Sequence, residues 1–141
     1  MQNWKDVARA TLAGSEDGTL TFPASLQMLR EAGVEGYAVD FRRSTRTYYT
    51  TGGEALELQP EVTAEPVAER FDAAAIVAAL REAQALVPGC TYKGFCAKVV
   101  GAGCAGYLVS LLGKRALYYG RTGETHTCPP SATLRQWAVF A

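Results

Sequence analysis

The chain has a single histidine, His126, in 141 residues. Its four cysteines, Cys90, Cys96, Cys104 and Cys128, form no Cys-x-x-Cys pair. The usual zinc spacings are therefore absent, and no metal site is expected. An excess charge of either sign is also missing, because 14 Lys and Arg stand against 14 Asp and Glu. A neutral balance supplies no electrostatic footprint for nucleic acid or for an anionic membrane, so neither partner is expected. No apolar run approaches the length of a membrane span. The start, Met1-Gln2-Asn3-Trp4-Lys5-Asp6, lacks the basic and apolar stretches of a signal peptide. These gaps read together as a cytoplasmic protein with reduced thiols.

Reaction motifs are scarce as well. There is no phosphate-binding glycine loop followed by Lys and Ser or Thr, and no Gly-x-Ser-x-Gly elbow. Gly101-x-Gly103-x-x-Gly106 matches the dinucleotide pattern in letters only. It closes a helix and leads into a strand, the reverse of the order that pattern needs. No cofactor is expected.

What the chain does contain is a copy of itself. Residues 21–54 align without a gap with residues 91–124, an offset of 70. The identical pairs are Thr21/Thr91, Ala32/Ala102, Gly33/Gly103, Gly36/Gly106, Tyr37/Tyr107, Val39/Val109, Tyr48/Tyr118, Tyr49/Tyr119, Gly53/Gly123 and Glu54/Glu124. Ten of 34 positions agree, against roughly one in fifteen for average composition. They fall on turn glycines and on alternating strand positions, where a shared backbone needs them.

Each copy reads as two helices and a hairpin within one domain spanning 1–141. Copy one covers about 2–58. It has a helix over 4–13 closed by a turn from Gly14 to Gly18, and a second helix from near Pro23 to Gly33. Strands follow at 37–42, 45–51 and 54–58, the last two joined by Gly52-Gly53. Residues 59–70 read as a linker. Copy two covers about 72–126. Asp72 caps a helix over 73–87, a second helix runs over 92–102, and strands follow at 106–112 and 115–122. The tail 127–141 has no counterpart, and its Trp137-Ala138-Val139-Phe140 is apolar enough to dock on the body. The expected fold is two-layer α+β, with one mainly antiparallel sheet and helices on one face.

If Tyr37, Val39, Phe41, Tyr107, Val109 and Leu111 face the helices, Leu108 and Leu112 lie on the opposite face. Something must then cover them, the tail or a second subunit, which makes both candidate interface residues of a homodimer. A cysteine nucleophile, Cys96 or Cys104 activated by His126, is the sharpest catalytic idea. The repeat argues against it, since copy one places Leu26, Val34 and Leu56 at those three positions. Small buried hydrophobes explain both thiols. Asp40, Arg42, Tyr119, Arg121, Glu124 and His126 are the candidate ligand-binding set. The competing readings are a solvated ion-pair network for Asp40 with Arg42 or Arg43, strand propensity for the tyrosines, and a surface or capping role for His126.

Several segments resemble a known family. They are Tyr37-Ala38-Val39-Asp40-Phe41-Arg42-Arg43 with Thr47-Tyr48-Tyr49, Tyr92-Lys93-Gly94-Phe95-Cys96-Ala97-Lys98-Val99, Gly103-Cys104-Ala105-Gly106-Tyr107, and Tyr119-Gly120-Arg121-Thr122 with Glu124-Thr125-His126. Over roughly 5–126 the chain resembles a small bacterial and prophage family of unknown function, often labelled "phage envelope protein". The resemblance implies a soluble bacterial or prophage-borne protein and supplies no reaction, cofactor or catalytic residue. The expectation is a non-catalytic accessory or binding protein that acts through self-association or a protein partner. The alternative is a small-molecule binder or enzyme built on Asp40, Tyr119, Arg121 and His126. A phage structural component is a third reading.

Overall fold

Thr21 and Thr91, 70 positions apart, perform the same task. Each side chain accepts a hydrogen bond from the backbone N–H three residues on, at Ala24 (3.3 Å) and Gly94 (3.0 Å). Both therefore cap a helix N-terminus. The computed structural model describes residues 3–60, 66–84 and 91–128, and the same correspondence runs through it. Copy one contains α1 (Trp4–Asp17), α2 (Phe22–Glu31), β1 (Val34–Asp40), β2 (Thr45–Thr50) and β3 (Ala55–Leu58). Copy two contains α3 (Ala73–Gln84), α4 (Tyr92–Gly101), β4 (Cys104–Ser110), β5 (Arg115–Gly120) and β6 (Thr125–Cys128). All six strands form one antiparallel sheet in the order β3-β2-β1-β4-β5-β6. The α+β fold with a mainly antiparallel sheet is the one expected.

The two copies join along β1 and β4. Gly36 pairs with Ser110, Ala38 with Leu108 and Asp40 with Gly106, so a pseudo-two-fold axis passes between Ala38 and Leu108. Phe41 N–H donates to the Ala105 carbonyl (2.9 Å) and Leu111 N–H to the Glu35 carbonyl (2.8 Å), symmetric bonds that extend the ladder at each end. Gly36 and Gly106 allow this approach. A Cβ on Gly36 would lie 2.5 Å from the Val109 carbonyl oxygen, and one on Gly106 would lie 2.3 Å from that of Val39.

The helices cover one face. On that face a run of tyrosines crosses the axis in the order Tyr48, Tyr37, Tyr107, Tyr118, with ring centroids 5.5, 6.3 and 5.2 Å apart. All four are buried among Leu29, Ile76, Val99 and Val109. Rings of this size supply a large apolar area per residue, which anchors a core of this length.

Several boundaries differ from expectation. The first helix does not stop at Gly14 but runs on to Asp17, and Gly18 at φ 79° ends it. Gly14 is a packing residue instead, because a Cβ there would meet the Leu20 side chain at 2.5 Å. Strands β1 and β4 begin directly after Gly33 and Gly103, three and two residues earlier than expected. Their positive φ angles, 92° and 90°, swing the chain from helix straight into sheet. The sixth strand was not anticipated. It takes Thr127 and Cys128 from the expected tail into the sheet. The docking of 129–141, the helical stretch over 85–87, and Cys90 lie outside the described residues. Asp72 caps α3 as expected, accepting from Ala75 N–H at 3.1 Å.

Candidate functional site

Strand alternation sends Arg46, Tyr48 and Thr50 of β2 inward, and all three are buried. Arg46 is the unusual member, a guanidinium only 4% exposed. Its Nη1 donates to the Tyr48 hydroxyl (3.4 Å) and its Nη2 to those of Tyr107 (3.2 Å) and Tyr92. The Tyr92 and Tyr107 hydroxyls lie 2.8 Å apart. The cation also stacks 4.8 Å from the Tyr37 ring centroid and 5.1 Å from that of Tyr92. Among the described residues no carboxylate pairs with it, and its Nε has no hydrogen-bond partner. Burial disfavours the charge, but the oxygens of Tyr92, Tyr107, Tyr48 and Tyr37 outweigh that and hold the proton well above the ordinary arginine value. The same burial raises the Tyr37, Tyr92 and Tyr107 phenols.

This centre occurs once in a molecule whose two halves share the same order of elements. The position matching Arg46 is Ala116, and that matching Tyr92 is Phe22. It was not singled out from the sequence, although two signals point to it. Period-two alternation places Arg46 on the face of Tyr48, and the repeat sets a cation against a buried alanine.

Among the described residues no helix lies on the opposite sheet face. Its central row runs Glu57, Thr47, Ala38, Leu108, Leu117, Thr127 across the six strands. The exposed large hydrophobics among the described residues are Tyr49 (43%), Leu108 (43%) and Leu112 (68%). Leu108 sits beside the pseudo-two-fold axis, and Leu112 lies in the turn that follows β4.

The six ligand-binding candidates divide into four places. Asp40, Arg42 and Tyr119 share a corner of the open face. The Tyr119 ring lies over Gly106, and its phenol is raised by burial and by Asp40, with Arg42 opposing. Asp40 Oδ1 also accepts from the Arg42 and Arg43 backbone N–H groups (2.9 and 3.1 Å), and Ser110 repeats the role by accepting from Gly113 N–H (2.8 Å). The turn therefore needs an acceptor there whatever else Asp40 does. Arg121 reaches the Val67 carbonyl at 3.3 Å. Glu124 accepts from the Thr122 hydroxyl at 2.8 Å within the β5–β6 turn. His126 pairs with Tyr118 in β6 and so points to the helix side. The six do not meet in one pocket.

Residues 15–127 match the family model described as protein of unknown function (DUF1398). The chain belongs to this family. The match runs from the last turn of α1 into β6, so the whole sheet to Thr127, the open face and the Arg46 centre all lie inside it. The family description carries no activity and no phage envelope role. No curated protein matches the chain.

Neither of the two described thiols of the core is set up as a nucleophile. Cys96 and Cys104 are buried, as the repeat suggests. Burial pushes their pKa values up to about 11 and about 12. A nucleophilic cysteine needs the opposite shift. Among the described residues no group of His, Cys, Asp and Glu is arranged to hold a metal ion, and no helix is long and apolar enough to cross a membrane.

Proposed function

We propose that this protein is a non-catalytic accessory protein that acts by association, with the open sheet face as its contact surface and a second copy of the chain as its partner. The observation that carries this reading is that face itself, which none of the described helices covers, with Leu108 and Leu112 exposed at its centre and rim. Six strands spaced ~4.8 Å apart make a face roughly 25 Å across. An apolar patch on such a surface, ringed by Thr47, Glu57, Ser110 and Thr127, has the composition of an association site. A chain of formal net charge +0 can approach its own copy without long-range repulsion.

Light scattering of the purified protein and of the Leu108→Asp/Leu112→Asp variant tests this. The expected result is a wild-type dimer and a folded, monomeric variant. A wild-type monomer at high concentration overturns the reading.

A second reading rests on the corner where Asp40, Arg42 and Tyr119 approach one another on the same face. A small polar ligand held there would stack on Tyr119 and pair with both charges. Tyr119→Ala would then abolish ligand-induced thermal stabilisation while leaving the solution mass unchanged.

A further inference from the structure

We infer that Arg46 determines which half of the molecule pairs with which, forcing copy one to join copy two and not a second copy of itself. The problem it addresses follows from the repeat. Copies one and two present nearly the same β1 and β4 edge, with the same glycines, the same tyrosines and the same flanking hydrogen bonds. The backbone ladder itself admits a copy-one/copy-one or copy-two/copy-two junction between chains, with Ala38 or Leu108 facing its own copy at the axis in place of the Ala38–Leu108 pair. The Arg46 centre does distinguish them, because its parts come from both halves. The cation stands on β2, while Tyr92 and Tyr107 stand on α4 and β4.

The wrong junctions fail in different ways. In a copy-one self-pair, Phe22 takes the place of Tyr92, so each guanidinium loses a hydroxyl acceptor. Two guanidinia would also be drawn toward the same tyrosine run across the axis, where like charges in a low-dielectric core repel. In a copy-two self-pair, Ala116 replaces the cation on both sides. The Tyr92 and Tyr107 hydroxyls then keep only each other, beside a gap where the guanidinium stood. Only the mixed junction places one cation among three hydroxyls. A single buried polar group that specifies pairing, at some cost in stability, is a known device in helical assemblies. Here it would act on a sheet.

The test is refolding from denaturant over a range of protein concentrations, in the Leu112→Asp background, which weakens association through the open face without placing a charge at the β1–β4 junction. The parent is expected to return to a single monomeric mass. Arg46→Met, which keeps the volume and removes the charge, is expected to yield dimers and larger species with native circular dichroism. Their fraction should rise with concentration, and dilution alone should not dissociate them. Tyr92→Phe, which removes only the hydroxyl missing from copy one, should show the same behaviour to a smaller extent and decides the matter if Arg46→Met does not fold. Refolding of the variants to the parent's mass distribution overturns the inference. So do extra species that lack native secondary structure.

Discussion

Arg46 shows how one side chain can be buried without an acid beside it. Its charge is shared among hydroxyl oxygens and ring faces, and the residue as a whole is buried. Volume and charge should therefore separate on mutation. Arg46→Ala leaves a cavity and stranded hydroxyls, and is expected to lose about 2–4 kcal/mol in denaturant unfolding. Arg46→Met refills the space and should lose less than about 1.5 kcal/mol. Equal losses would mean that the charge itself holds the core together. The buried acids make a second prediction at this scale. Cys96 and Cys104 are raised from 9.0 to about 11 and about 12, and Tyr37 and Tyr107 are raised in the same direction. Each binds its proton more tightly when folded than when unfolded. Their contribution is complete below pH 9.0, where the unfolded thiols hold their protons, and is lost as pH rises through about 11 to 12. The denaturant midpoint should hold through neutral pH and fall on the alkaline side. An alkaline limb as flat as the neutral region would contradict this.

At the scale of elements, the strand junction tolerates no side chain at Gly106, where a Cβ would also meet the Tyr119 hydroxyl at 2.4 Å. Gly106→Ala is expected to cost about 1–3 kcal/mol. Gly101→Ala, at the exposed end of α4 with nothing within 4 Å, should gain about 0.5 kcal/mol through helix propensity. Melting temperatures of the two variants should move in opposite directions. Much of this layer was legible in the sequence. Alternation identified the helix-facing Tyr37, Val39, Tyr107 and Val109, and the repeat identified the turn glycines. Two features escaped for physical reasons. The short strand Thr125–Cys128 has one apolar residue, Cys128, where its counterpart Ala55–Leu58 has Leu56 and Leu58, so its pattern is weak even though its pairing is sound. Gly14 reads as a helix stop by propensity, but contact with Leu20 makes its lack of a side chain useful within the helix. In the ligand-binding set, alternation places Asp40, Arg42 and Tyr119 on the open face, while His126 rests on its residue type and its place after the repeat identities. Period two then separated His126 from Tyr119, which a strand reading of 125–128 would have revealed.

At the scale of the whole molecule, the four helices of the described residues lie on one side of the sheet and none of them on the other, so an association through the open side would add stability by mass action. The wild-type melting temperature should then rise with protein concentration, and that of Leu108→Asp/Leu112→Asp should not. Parallel behaviour of the two proteins would separate the open face from oligomerisation.

The strand order has one more consequence, for the way the chain finds its fold. Within each half every strand neighbour is also a sequence neighbour, so β1-β2-β3 and β4-β5-β6 can zip by closing short loops. Only β1 with β4 joins residues about 70 positions apart. The entropy of long-range closure is therefore concentrated in a single event. Halves that zip first would meet at Ala38 and Leu108, and the speed of folding is then expected to follow how often they meet in the correct register.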